Sequence, residues 1–259
     1  MAFLQSAPPR QPIFRSPPVV LWLIGALAAL HLWRVTRPGD QPITMIYEFG
    51  FYPLRYSPAY LESQMANPGT LWERAVPFVS YAGLHNNWPH LIVNCLFLLA
   101  FGPIVARRWG GALFLIFFAL CGAAAAITYL AFNWGSPVPV VGASGAISGL
   151  MPAALRLLPA QAPWAAQSQA PLAPLLSRPL LVFTVFFAAI NLFAGLTGWG
   201  IGGENGMVAW QAHLGGYLAG LLLSSPFDTL RPRSVGVPVD RLRALVRHLA
   251  APGMTAYHF

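Results

Sequence analysis

The chain is poor in charged residues and has no lysine, and these two shortages exclude most soluble folds. Charged residues make up 8% of its 259 residues, whereas hydrophobic residues make up 56% and the mean hydropathy is +0.58. Soluble domains usually contain about 25% charged residues. All fifteen basic residues are arginines, and with seven acidic residues they leave a net charge of +8. The composition predicts an integral membrane protein, and anionic lipids explain the positive charge without a nucleic-acid partner.

Cysteine is also scarce. Cys95 and Cys121 lie in apolar segments and match no metal-binding or redox spacing. We interpret both as small packing residues. Nothing in the cysteine pattern predicts a cofactor.

Long apolar stretches are abundant instead. Six of them have about the length that crosses a bilayer as a helix: residues 19–35, 84–105, 111–132, 142–158, 179–197 and 207–225. They predict an all-α membrane protein with six transmembrane helices. If both termini are cytoplasmic, eleven of the fifteen arginines lie inside and only Arg34, Arg37, Arg55 and Arg74 lie outside. This arginine bias favours that orientation by the positive-inside rule.

The rest of the chain is tails and connections. We expect a disordered cytoplasmic tail over residues 1–18, one membrane domain over 19–226 and a basic cytoplasmic tail over 227–259. The first external loop, about residues 36–83, is long enough to have structure or a function of its own. Residues 159–178 resemble a flexible linker. Residues 240–250 place apolar side chains at helical spacing opposite arginines, which fits a surface amphipathic helix or a solvated helix equally well.

Ser144 stands at the head of the fourth apolar stretch, in the sequence Gly142-Ala-Ser144-Gly145. The flanking glycines leave the hydroxyl accessible, and the unpaired N–H groups of a first helical turn can face a developing oxyanion. Alone, such a serine is weak evidence of catalysis, because serines in membrane helices mostly bond to their own backbone.

A histidine in the sixth stretch supplies the base that a serine nucleophile needs. Gly142, Gly145 and Gly149 recur along one helix face, and His213, Gly216 and Gly220 repeat the same spacing. Two such stripes of small residues predict close helix packing that brings Ser144 and His213 together. Histidine has the right pKa to accept the serine proton near neutral pH. Tight packing alone, with His213 as an interhelical hydrogen-bond donor, is the simpler interpretation.

A third polar group opens the second stretch. His90 and Asn94 are spaced i, i+4, so they share a helix face, and both can donate hydrogen bonds to an oxyanion. They could equally tie the first loop to the bundle. Zinc bound by His85, His90 and His213 is a further possibility. It is disfavoured because the chain lacks a His-Glu-x-x-His motif and a carboxylate within the apolar stretches.

These motifs, His90-x-x-x-Asn94, Gly142-x-Ser144-Gly145 and Ala212-His213-x-x-Gly216-x-x-x-Gly220, resemble those of the rhomboid intramembrane serine proteases. The resemblance covers about residues 70–225. It implies a six-helix rhomboid-like bundle in a bacterial inner membrane, with Ser144 as nucleophile and His213 as general base. The oxyanion would be bound by His90, Asn94 and the backbone N–H of Ser144. Substrates would be transmembrane proteins, and neither a cofactor nor a metal would be needed.

Two positions depart from the family pattern, and two other functions stay open. Ala106 stands where relatives often have glutamate, and Glu73 separates Trp72 from Arg74 in the first loop. Both departures bear on loop anchoring and stability more than on catalysis. A catalytically silent rhomboid-like protein that binds membrane proteins is one alternative, and a small channel or transporter is another. The sequence also predicts that Asn191, in the fifth stretch, forms an interhelical hydrogen bond. It does not indicate the oligomeric state.

Overall fold

A computed structural model describes residues 16–62, 70–158, 171–198 and 209–231. Most of the expected N-terminal tail, most of the expected linker and the amphipathic segment at residues 240–250 lie outside these ranges. In the described parts the protein is helical and contains no strand, apart from one antiparallel bridge between Phe51 and Val140. The prediction of an all-α fold is therefore confirmed.

In the described residues, six long helices make up the bundle, and four short ones fold the first loop. The long helices are α1 (Pro18–Val35), α6 (Trp88–Trp109), α7 (Gly111–Phe132), α8 (Ser144–Leu157), α9 (Arg178–Thr197) and α10 (Trp210–Leu230). The short ones are α2 (Gln41–Phe49), α3 (Pro58–Glu62), α4 (Leu71–Ala75) and α5 (Pro77–Ser80), with 3-10 turns at Pro53–Tyr56 and Tyr81–Gly83. The described residues of the long loop expected from the sequence, 36–62 and 70–83, are thus folded.

Four of the described helices are long and apolar enough to cross a bilayer, namely α1, α6, α7 and α9. α8 is short for a span, with 14 residues. α10 has 21 residues, but Gln211, His213 and Asp228 lower its hydropathy. The four spans show that this is an integral membrane protein, and six spans stay a prediction.

The helix ends agree with the apolar stretches where hydropathy alone decides, and differ where polar groups intervene. α6 begins at Trp88 rather than near residue 84, because the Asn87 side chain caps it by accepting from the His90 N–H at 2.9 Å. α10 continues to Leu230 because the carboxylate of Asp228, in its last turn, pairs with Arg108. These polar contacts move the ends of the helices, and a hydropathy average contains no information about them.

α8 lies at the centre of the bundle. Twelve of its fourteen residues are buried, and it packs against α6, α7 and α10. Its one cation, Arg156, is buried as well and is fully engaged: it donates to the Ser224 hydroxyl at 2.6 Å, the Ser225 hydroxyl at 2.9 Å and the Ala173 carbonyl at 3.0 Å. Because a buried cation needs such partners, these bonds fix the C-terminal end of α8 against α10.

The two departures from the family pattern each have a local structural explanation. Ala106 is buried, and the carboxylate at this end of the bundle comes instead from Asp228 on α10, which accepts from Arg108 at 2.8 Å and from the Trp109 indole at 3.0 Å. Glu73 forms a capping box with Thr70 at the start of α4. Hydrogen bonds from the Thr70 backbone and hydroxyl lower the pKa of the Glu73 carboxyl.

Candidate active site

Ser144 and His213 are in direct contact. Ser144 is the first residue of α8 and His213 lies in the first turn of α10, and the Oγ of Ser144 is 2.7 Å from Nε2 of His213. Between Val141 and Ala154, Ser144 alone is partly exposed. His213 is partly exposed too. The structure therefore brings the two residues within hydrogen-bonding distance and leaves the hydroxyl accessible, which is the geometry that a nucleophile and its base require.

Glycines allow this contact because they bring the backbones of α8 and α10 together. A Cβ at Gly216 would overlap the Gly145 carbonyl oxygen, and a Cβ at Gly220 would overlap the backbone of Gly149. A Cβ at Gly149 would meet Cys121 of α7 and, at 2.8 Å, the Gly216 carbonyl. The five glycines singled out in the sequence therefore include four at the α8–α10 crossing, and their spacing sets the position of His213 relative to Ser144.

The segment that leads into Ser144 is held by backbone bonds to the external loop. Val140 pairs with Phe51 at 2.8 and 2.9 Å, and the Gly142 N–H donates to the Tyr81 carbonyl at 2.9 Å. The Ala143 N–H donates to Nε2 of His85 at 3.4 Å. The first loop and His85 thus help to place Ser144, and this role of Phe51, Tyr81 and His85 was not predicted from the sequence.

His90 faces the segment before Ser144. Gly142, the fifth of the predicted glycines, has φ +122°, and a Cβ there would lie 2.7 Å from Cε1 and 2.8 Å from Nε2 of His90. The same Cβ would lie 3.7 Å from the Ser144 Oγ. The imidazole of His90 therefore lies beside Ser144, where the sequence predicts a donor to the oxyanion.

Asn94 lies one turn further along α6 and is buried. One N–H of its side chain donates to the backbone oxygen of His90 at 2.8 Å. The second N–H of that amide is not used by this bond, and so a donor remains for an oxyanion. His90 and Asn94 share a helix face, as the spacing predicts, and of the two His90 lies against Gly142.

Asn191 of α9 completes the surroundings of His213. Its Oδ1 is 2.7 Å from Nδ1 of His213. The predicted interhelical hydrogen bond is present, but the sequence did not indicate that its partner is the candidate base. A signal did exist: Asn191 is the sole amide side chain in α9, a helix long and apolar enough to cross a bilayer, and such a residue usually has a partner inside the bundle.

The described residues contain no group of three or more His, Cys, Asp and Glu side chains placed to hold a metal ion. The rings of His85 and His90 are near each other, with centroids 5.1 Å apart, but His213 contacts Ser144 and Asn191 instead. The three histidines considered as zinc ligands are therefore divided between different partners.

The helices and the site together define the class of this protein: it is an all-helical integral membrane protein with a partly exposed serine–histidine pair. A family model of the Rhomboid domain matches residues 68–227, more than half of the chain. The chain therefore belongs to the rhomboid family. A similar protein is Rhomboid protease GluP of Bacillus subtilis (strain 168), 34% identical over 94 residues. The match covers 36% of this chain and 17% of the relative, so the chain spans much less than two thirds of that protein's length.

Proposed function

We propose that this protein is an intramembrane serine endopeptidase that cleaves transmembrane segments of membrane proteins. The observation that carries the proposal is the 2.7 Å contact between the Ser144 hydroxyl and Nε2 of His213. Membership of the rhomboid family and the similarity to a protein named as a rhomboid protease support it. The membrane domain over residues 19–226 would be the protease, in a bacterial inner membrane with both termini cytoplasmic.

The reaction follows from the contacts of these two residues. Ser144 Oγ attacks the carbonyl carbon of the scissile peptide bond while Nε2 of His213 takes the hydroxyl proton. The resulting oxyanion accepts hydrogen bonds from His90, Asn94 and the Ser144 backbone N–H. His213 then gives its proton to the leaving amine, and the C–N bond breaks. Water, deprotonated by His213, cleaves the acyl ester and restores Ser144.

The position of Ser144 fits the need of peptide hydrolysis for water. Peptide hydrolysis needs water, and lipid provides none, so the site must open to the aqueous phase. The external loop lies directly beside Ser144 through the pairing of Phe51 with Val140. A transmembrane substrate must also unwind locally, because the peptide bonds of a helix are hydrogen-bonded and shielded.

Covalent labelling of the nucleophile is the most direct test. Purified protein is incubated with a fluorophosphonate probe and, separately, with a model transmembrane substrate in liposomes. Ser144→Ala and His213→Ala should each abolish labelling and lower cleavage by at least about 10⁴-fold, because either change removes the pair. Ser148→Ala is the matched control. The Ser148 hydroxyl donates to the Ser144 carbonyl at 2.7 Å and not to His213, so its removal should leave labelling intact.

The outcomes also separate the alternatives. Cleavage that survives Ser144→Ala would refute the assignment of the nucleophile. Binding of the model substrate without cleavage or labelling in the wild type would favour a catalytically silent binding protein. Ion or solute flux through the purified protein, with no labelling, would favour a channel.

A further inference from the structure

The imidazole of His213 is held at both nitrogens. On one side Nε2 is 2.7 Å from the Ser144 Oγ, and on the other Nδ1 is 2.7 Å from Oδ1 of Asn191. The Asn191 residue is 8% exposed, so water competes little for the second bond. Proton transfer through Nε2 alone gives no role to Asn191, the partner of Nδ1.

A second bond of Asn191 determines which atom of its amide faces the ring. The amide nitrogen Nδ2 donates to the Phe187 carbonyl at 2.8 Å. A carbonyl can only accept, so the nitrogen must face Phe187 and Oδ1 must face His213. Oδ1 is also only an acceptor, and Nδ1 of His213 must therefore carry a hydrogen. A neutral imidazole has one N–H, which leaves Nε2 with a free lone pair directed at the Ser144 hydroxyl.

We propose that Asn191 is a positioning residue that holds His213 in the tautomer able to accept the proton of Ser144. The proposal rests on the proposed protease function. In the other tautomer an N–H would face the Ser144 hydroxyl, and Nε2 could not take its proton. The same bond from Nδ1 to Oδ1 also orients the ring, and it strengthens when His213 becomes an imidazolium in the transition state.

The test compares three substitutions in the full-length protein. Asn191→Leu keeps the size of the side chain and removes the acceptor, and it should lower kcat about 10- to 100-fold, as expected for a hydrogen bond to a charged group. KM should change by less than about twofold, because the bond acts on the base and not on bound substrate. Asn191→Asp keeps an acceptor and should restore most of the activity.

Thr184→Val is the matched control for packing. The Thr184 hydroxyl is 2.7 Å from the Tyr217 hydroxyl, so this bond also joins α9 to α10 but involves neither Asn191 nor His213. If Asn191 acts only by holding the two helices together, Thr184→Val should lower kcat to a similar extent. We expect instead that Thr184→Val keeps kcat within about threefold of the wild type.

A spectroscopic measurement tests the tautomer without any activity. In protein labelled with ¹⁵N-histidine, His213, assigned by comparison with His213→Gln, should show an unprotonated Nε2 and a protonated Nδ1. Asn191→Leu should change this pattern, whereas Thr184→Val should not. An unchanged pattern in Asn191→Leu, or equal losses of kcat in the two variants, would overturn the proposal. Absence of wild-type cleavage and labelling would instead count against the proposed protease function.

Discussion

Gly142→Ala should separate the placement of the oxyanion donor from the chemistry of Ser144. The added Cβ would lie 2.7 Å from Cε1 and 2.8 Å from Nε2 of His90. Unstrained carbon contacts begin near about 3.5 Å, so the ring or the Gly142 segment must move by roughly 0.8 Å. The ring of His85 also packs against the His90 ring, with centroids 5.1 Å apart. On the proposed mechanism, this displacement would therefore fall on the contact between His90 and the substrate oxyanion.

The expected loss follows from that displacement. Misplacing a reacting or stabilising group by about 1 Å can lower a rate about 100-fold, and removal of an oxyanion donor lowers kcat about 10²- to 10³-fold. We expect kcat for Gly142→Ala to fall 10- to 100-fold, with an equal fall in kcat/KM, because the bond to His90 forms only as the oxyanion develops. Cleavage of a model transmembrane substrate in liposomes measures both constants.

The backbone conformation adds a second effect that a control must remove. Gly142 has φ +122°, and alanine at such a φ costs about 1–3 kcal/mol of stability. Gly135→Ala is the matched control: its φ is +73°, and its added Cβ would meet nothing closer than 3.8 Å. Gly135→Ala should lower the thermal midpoint and leave kcat unchanged. Wild-type kcat in Gly142→Ala, or equal loss of kcat in the two variants, would refute the reasoning.

Two further predictions concern the bundle. Gly220→Ala places a Cβ against the backbone of Gly149 and should cost about 1–3 kcal/mol and slow fluorophosphonate labelling, as the helices α8 and α10 separate. Gly25→Ala is the control: its Cβ would meet no atom within 4 Å, and alanine favours a helix interior over glycine, so this change should lower neither the thermal midpoint nor the labelling rate. Asp228→Asn removes the charge that pairs with Arg108, whose side chain is 5% exposed. The free energy of unfolding, measured by heat or denaturant, should fall by about 3 kcal/mol. An unchanged unfolding midpoint would show that the ion pair contributes little to stability.

The sequence predicted the helices well because each is a nearly continuous apolar run. The third stretch, residues 111–132, coincides with α7 at both ends. At both ends of α7 the sequence changes sharply from apolar to polar or glycine-rich. The errors at Trp88 and Leu230 have a different origin, because the Asn87 cap and the Asp228 ion pair depend on individual side-chain contacts. A hydropathy average contains no information about either contact.

In the candidate site, too, some contacts could be predicted from the sequence and others could not. The approach of Ser144 to His213 could be predicted because glycine periodicity reports which helix faces lie close together. The place of Asn191 could not, because its contact with His213 depends on how far α9 is rotated and shifted along α10. That register is set by side chains such as Phe187 and Tyr217, whose rings stack with centroids 4.6 Å apart. Apolar packing of this kind leaves no distinctive spacing in the sequence.

The chemical identity of the group beside His213 suits its position in the bundle. A carboxylate would stabilise the imidazolium more strongly than an amide, but an ionised group within a membrane helix costs several kcal/mol unless it is fully paired. Asn191 provides an acceptor for Nδ1 with no net charge, and one N–H of its amide donates to the Phe187 carbonyl within the same helix. On the proposed mechanism, the neutral amide would therefore fix the tautomer of the base and leave most of the stabilisation of charge to the oxyanion donors. For this reason a change at Gly142 that displaces His90 should cost at least as much activity as the loss of Asn191.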